Sequence, residues 1–360
     1  MHLLVAVLFA TALPHQAYIW QHNWDDAVTR AVTNTAPTLD RFVFLNAEVS
    51  GERTVTITPD YAALRATGKS IGLALRANAS ATITVTLATN ILAAARAHGL
   101  TPAELQIDFD SPESKLDTYR KWLAPLRDAI APTPFTITVL PCWLRHETEF
   151  RRLVAATDGF VLQVHSIDAN TRTLCDTDAA RRAIAQASRF GKPFRVALPT
   201  YGHPIGLHAD PIALAALVRD LTTAPPTNLT GFIWYRLPTD NDKLNWRWPT
   251  LAAVIAGRTP QPSLAAETRQ TQPSLVEIDL LNRGDADAFT KTTVVVRWRA
   301  RDAALLACDA LAGFDTNVSV NETNATRFLG NPRLAPGQRR NIGWLRFRDN
   351  KEIVCETQIE

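Results

Sequence analysis

The sequence has little that would commit it to a charged partner or to a metal. Its 38 Lys and Arg against 35 Asp and Glu leave a formal net charge of +3 over 360 residues. That balance gives electrostatics no hold on nucleic acid or on an anionic membrane. Only four cysteines occur, Cys142, Cys175, Cys308 and Cys355, with no C-x-x-C pair and no close Cys/His spacing. Zinc sites need such spacing, so no metal is expected. No glycine-rich phosphate loop follows an early strand-like run, which argues against a doubly wound nucleotide-binding sheet. No organic cofactor is implied either. After Leu13 no segment is long and apolar enough to be transmembrane. No repeat of fixed period is visible beyond a strand–helix cadence.

What is present is ordinary globular composition, 46% hydrophobic and 20% charged. Nine Trp against one Met stand out; they serve either a packed core or flat platforms for sugar rings. Leu3 to Leu13 is an apolar run of signal-peptide length with no Lys or Arg before it. Ala10-Thr11-Ala12 and His15-Gln16-Ala17 are small-residue cleavage sites. Residues 1–16 are therefore expected to be a secretory signal, a buried first strand being the alternative. An even cysteine count in an exported chain predicts disulfides, here 142–175 and 308–355; the alternative is four free thiols.

From residue 17 to about 256, apolar runs alternate with helical patterns. The runs are AYIWQH (17–22), RFVFLNAEV (41–49), SIGLALRAN (70–78), ELQIDFD (104–110), PFTITVLPC (134–142), GFVLQVHSID (159–168), PFRVALPTYG (193–202) and GFIWYRLP (231–238). Eight strands with intervening helices predict an α/β fold, a (β/α)8 TIM barrel over residues 17–258. SPESKLDTYRKWLAPLRDAI is the clearest helix, with Ser114 as a cap candidate, and Gly99 and Gly191 read as helix stops. The Pro-, Thr-, Gln- and Ser-rich stretch 259–273 reads as a linker, and the short alternating runs of 274–360 as a small all-β sandwich.

Barrel enzymes place their chemistry at the C-terminal ends of the strands. Alternation on the fourth run sends Leu105, Ile107 and Phe109 toward the helices and Gln106, Asp108 and Asp110 into the lumen. Gln163 and His165 face inward on the sixth run, and Asn46 and Glu48 share a face on the second. Arg76 lies between Glu48 and Asp108. Asp108 and Asp110 are separated by roughly 6.6 Å of strand rise, so both resist being ionised at once and one pKa is expected to rise. An acid of raised pKa beside an ionised partner is the working arrangement of glycosidases. The competing reading makes Asp108, Arg76 and Glu48 an ion-pair network that holds the barrel top. His165 reads either as a proton donor and carboxylate orienter or as a structural histidine. Trp20, Trp234 and Tyr201 are expected to position sugar rings, with His203 and Arg236 also at the mouth; the alternatives are barrel packing for Trp234 and a plain chain turn for the Tyr201–His203 loop.

The stretches AYIWQHNW, LQIDFDSPESKLDTYRKWLAPLR, QVHSID and PTYGH resemble a bacterial family, domain of unknown function 3142, over roughly residues 17–256. The resemblance implies a barrel related to glycoside hydrolases and an exported, periplasmic or secreted setting. A weaker likeness is to family 18 chitinases, whose fourth strand carries D-x-D-x-E. Asp108 and Asp110 match its two Asp positions, but the next inward position is Pro112, and Glu113 comes one residue late. Either Asp110 is the acid, or Glu113 turns inward through an irregular turn.

The function expected from these residues is an exported glycoside hydrolase-like protein acting on a polysaccharide or cell-envelope glycan. Asp110 is the candidate general acid, Asp108 sets its pKa or stabilises a developing positive charge, and Glu48 is the spare carboxylate, able to act as base or nucleophile. Asn46, Arg76, Gln163 and His165 bind hydroxyls or orient the acids. The alternative is a carbohydrate-binding or envelope-associated barrel without turnover. The partner in either case is a glycan or other hydroxyl-rich ligand, with protein or envelope contact assigned to the C-terminal domain.

Overall fold

A computed structural model describes residues 12–78, 82–166, 173–204, 206–299, 304–318, 324–348 and 352–360. The chain divides into two compact units, one ending at Trp248 and one beginning at Pro249, ten residues before the expected boundary of 258.

The first unit holds eight parallel strands: β1 (His15–Ile19), β2 (Arg41–Ser50), β3 (Ser70–Ala77), β4 (Glu104–Phe109), β5 (Phe135–Val139), β6 (Gly159–Gln163), β7 (Phe194–Pro199) and β8 (Leu229–Tyr235). They pair in sequence order from β2 to β8; β8 then pairs with β1, and β1 pairs with β2. The ring is therefore closed, as in a (β/α)8 barrel. Between the strands lie α1 (Asp26–Thr35), α2 (Tyr61–Ala66), α3 (Val85–Ala97), α4 (Leu116–Ile130), α5 (Glu147–Ala155), α6 (Thr177–Ala187) and α7 (Pro211–Thr223). On α4, Leu116, Tyr119, Leu123 and Leu126 are buried at helical spacing. Ser114 does not cap it; a 3-10 turn over Glu113–Lys115 leads in instead. Gly99 and Gly191 take left-handed φ of 77° and 68° beyond their helices, a conformation that suits a residue without Cβ.

The expected start of the barrel needs correction. Residues 1–11 of the expected signal lie outside the described residues, but His15 and Gln16, also assigned to it, belong to β1. His15 N–H donates to Asp40 at 2.8 Å, and Gln16 Oε1 accepts from Arg195 at 2.7 Å. A strand so tied into the ring is part of the fold. Among the described residues no helix is long and apolar enough to cross a membrane.

The second unit begins one residue into α8 (Trp248–Ile255) and continues as β9 (Leu264–Gln272), β10 (Leu275–Asn282), β11 (Thr292–Trp298), β12 (Leu305–Ala310), β13 (Phe314–Val318), β14 (Ala325–Gly330), β15 (Arg339–Phe347) and β16 (Cys355–Ile359). These form two antiparallel sheets, β9-β10-β15-β12 and β13-β14-β11-β16. Val276, Ile278, Leu280, Val294, Val296, Phe328, Leu345 and Phe347 share one core. The 259–273 linker is overturned for most of its length, because Leu264 to Gln272 pair with β10. Its polar composition is that of an edge strand: Leu264 and Ala266 reach the core while the strand's other side chains stay partly or fully exposed. No disulfide joins any of the four cysteines, so neither expected disulfide is made. Cys308 and Cys355 pack on the same core from strands of different sheets.

Candidate functional site

The barrel lumen is built in layers set by strand register. Glu48, Arg76 and Asp108 stand level across β2, β3 and β4. Arg76 Nη1 donates to Asp108 Oδ2 at 3.2 Å, and its Nε lies 3.7 Å from Glu48 Oε1. Thr138 Oγ1 donates to Asp108 Oδ1 at 2.7 Å, so both oxygens of this carboxylate have partners. Glu48 Oε2 meets His22 Nε2 at 2.9 Å. One polar chain thus runs from exposed His22 through Glu48, Arg76 and Asp108 to Thr138.

Glu48 points at Arg76 because β2 is bulged. The pairing of β2 with β3 slips between Leu45 and Ala47, leaving Asn46 as the extra residue. Val43 and Leu45 face the lumen with Ala74; plain alternation would bring Ala47 in next and turn Glu48 outward. The inserted residue reverses parity and re-aims Glu48, a common use of a bulge near a site. Asn46 is the casualty of the same device. It is buried, its Oδ1 has no partner, and it lines neither hollow at the mouth. The expectation that Asn46 and Glu48 share a face as neighbours two apart is corrected accordingly.

Two adjoining hollows open above this layer. The deeper, about 280 Å³, is lined by Tyr18, Trp20, Arg76, Asp108, Asp110, Thr138, Gln163, His165, Ser166, Ala197, Tyr201 and Tyr235. The shallower, about 500 Å³, holds Glu48, His22, Gln21 and Arg236 and shares Trp20, Arg76 and Tyr235 with the first. Arg76 therefore separates Glu48 from the two aspartates. Asp108 is 7% exposed, whereas Asp110 stands at the exposed rim. Burial raises the Asp108 pKa. Arg76 and Thr138 pull it back, Asp110 and Glu48 push it further up, and the net shift is upward. The rise falls on Asp108, expected as the neighbour that sets the acid's pKa, and its main cause is burial, with the neighbouring charge secondary.

The aromatic wall differs from expectation. Trp234 is fully buried, donates from Nε1 to His15 Nδ1 at 3.2 Å and packs against Trp246. It faces away from the lumen and offers no surface to a ligand. Ile233 and Tyr235 are the inward residues of β8, and alternation alone would have named Tyr235. Tyr235 contacts Trp20, Tyr18, Tyr201 and His165, and burial pushes its hydroxyl up to about 12. Burial also holds His165 down at about 3, so the ring is a neutral hydrogen-bonding group and no imidazolium acid. Its Nδ1 lies 3.5 Å from Tyr201 Oη. His203 sits in a small hairpin pairing Gly202–His203 with Leu207–His208 and does not line either hollow. Arg236 is tied to Asp242 at 2.5 Å.

Glu113 does not turn inward. Arg145 donates to its two oxygens at 2.5 and 2.6 Å, and His146 Nε2 lies 2.7 Å from Oε2. Sequence reasoning also missed Tyr18, Thr138 and Ser166; the first two were legible from the parity of Tyr18 with Trp20 and of Thr136 with Thr138. Among the described residues no group of His, Cys, Asp and Glu is arranged to hold a metal ion.

Comparison with known proteins adds the family context. No curated protein matches the sequence. Of solved structures, the chain is similar to the Bacillus cereus spore cortex-lytic enzyme SleL at 8% identity and a TM-score of 0.48, over 68% of this chain and 74% of that one. It is similar to a family GH18 chitinase from Chromobacterium violaceum at 10% identity and 0.41, over 96% and 90%. It is also similar to the GH51 alpha-L-arabinofuranosidase of Thermotoga petrophila RKU-1 at 8% identity and 0.46, over 92% and 97%. Residues 265–348, within the sandwich unit, match the model of a second family, domain of unknown function 8456. Residues 71–206, running from β3 past the end of β7 and carrying Arg76, Asp108, Asp110, Gln163, His165 and Tyr201, match the model of domain of unknown function 3142, the family read from the motifs.

Proposed function

We propose that the mouth of the barrel takes a sugar ring of a polysaccharide or cell-envelope glycan, and that Asp108 and Asp110 act on it as an acid pair. The observation that carries this reading is the deeper hollow itself. A buried carboxyl of raised pKa lies next to a rim carboxyl, under a wall of Tyr18, Trp20, Tyr201 and Tyr235. A volume of about 280 Å³ lies near the lower end of small-ligand sites, roughly 300–1,000 Å³. Tyrosine hydroxyls, Gln163 and neutral His165 give hydrogen bonds of both senses, as a polyol requires. Asp110, exposed at the rim of the hollow, is the candidate general acid toward a leaving-group oxygen. Asp108 beneath it, its own carboxyl pushed up by burial, is the neighbouring carboxyl, and Glu48 beyond Arg76 is the further carboxylate. Export, proposed from the apolar N-terminal run, would give access to such a glycan; cleavage at Ala10-Thr11-Ala12 would leave β1 intact.

A second reading, a glycan binder without turnover, has its own support. Glu113 is held by Arg145 and His146, and both oxygens of Asp108 are occupied. An oligosaccharide panel on purified protein, scored for both cleavage and retention, separates the two. On the first reading one glycan is cleaved and Asp110→Asn abolishes product without moving Tm. Retention without product leaves the binder; cleavage that survives Asp110→Asn removes Asp110 from the mechanism; neither retention nor cleavage across the panel sinks the glycan site.

A further inference from the structure

Beside the sugar hollow lies a second cavity, about 370 Å³, that the proposed function leaves unused. Its character is different. Leu140, Pro141, Val164, Leu174, Ala180 and Ala183 supply an apolar lining, between the end of β5 and the start of α6. Cys142 and Cys175 stand in the same wall as free thiols, and burial pushes Cys175 up to about 12, so it is an uncharged, weakly polar group there. Gln163, His165 and Ser166 line this cavity and the sugar hollow alike. The two spaces therefore abut, a polar one with two carboxylates and a mainly apolar one whose one charged lining residue, Asp176, caps α6 by accepting from the backbone N–H groups of Asp178 and Ala179.

The geometry points to a bipartite site for an amphiphilic glycoconjugate: the sugar in the hollow, and an alkyl, acyl or aryl substituent of that same molecule in the apolar cavity. This rests on the glycan reading of the hollow. The shared residues suit the junction. His165 is buried and neutral, so an apolar group passing it strips no ion of water. The small side chains of Ala179, Ala180 and Ala183 on α6 keep the cavity open where larger ones would fill it.

Alkyl glycosides from methyl to octyl, of the sugar retained in the panel, test this by calorimetry below their micelle concentrations, with n-butanol to n-octanol as sugar-free probes. Burying each methylene is worth about 0.8 kcal/mol, so affinity is expected to rise about fourfold per CH2 until the cavity is full. Ala179→Leu, at a half-buried lining position, should flatten the series, while Ala179→Ser should keep it; equal Tm values for the two exclude a folding fault. Affinity independent of chain length, or a rise that Ala179→Leu leaves intact, overturns the bipartite site while the sugar hollow stands. Alkanols that bind with the methylene increment, with no sugar bound at all, overturn the amphiphile and the glycan reading together.

Discussion

Strand β4 carries two inward carboxylates four residues apart, and they have opposite fates. Glu104, at the bottom of the barrel, accepts from Arg195 at 2.6 Å on each oxygen, from Thr136 at 2.8 Å and from Arg41 at 3.3 Å. Burial pushes its carboxyl up, but Arg195, Arg41 and Thr136 outweigh that, and its pKa is lowered. Asp108, at the mouth, has one guanidinium shared with Glu48, a single hydroxyl and a second aspartate above it, and its pKa is raised. Burial is common to both; compensation decides the sign. Fully compensated, a buried carboxylate is a structural ion. Glu104 also lines a hollow, so it is partial compensation that leaves Asp108 chemically available.

The largest test breaks the lower pair. Glu104→Gln leaves Arg195 buried without its charge partner and should cost about 3–5 kcal/mol, read as a fall in urea midpoint. Next, Gly72→Ala presses a Cβ to 2.9 Å from Glu104 Cγ and Oε1 and 3.0 Å from Val43. Overpacking there should cost about 1–3 kcal/mol, with the mouth's ligand affinity unchanged.

Acid titration of stability sharpens the contrast in sign. Glu104, with a lowered folded pKa, contributes stability that is present above its ordinary 4.5 and lost as pH falls through the folded value. Asp108, with a raised one, contributes stability that is present below its ordinary 3.8 and lost as pH rises through the folded value. Glu104→Gln should therefore flatten the acid limb of the stability profile. Asp108→Asn should remove a decline that begins just above pH 3.8. Matching changes in the two variants would dissolve the distinction. Smallest of all, Asp110→Asn at the exposed rim should move stability by no more than about 0.5 kcal/mol; a larger loss would place Asp110 in the barrel's framework.

Much of this was legible in the chain. The eight runs and their spacing gave the ring, because each apolar run must be covered by the helix that follows it. The alternation Leu105-Gln106-Ile107-Asp108 gave the polar face of β4. Other features were not legible, for identifiable reasons. A bulge at Asn46 reverses parity without any turn residue to announce it. Trp234 and Tyr235 are adjacent aromatics, and size alone favours the tryptophan as a ligand platform although it is the buried one. β9 is an edge strand with the composition of a linker. Glu104 and Arg195 lie 91 residues apart, and nothing local to either marks the other.

By itself the sequence determined the alternation of strand and helix, hence the barrel, and the inward face of β4, because side-chain period and apolar spacing are local properties of the chain. Which carboxylate is neutralised by which arginine, whether Glu113 reaches the lumen, and which aromatic faces the hollow were decided only by tertiary structure. Charge compensation and burial are sums over neighbours from distant strands, and ring closure alone brings those neighbours together.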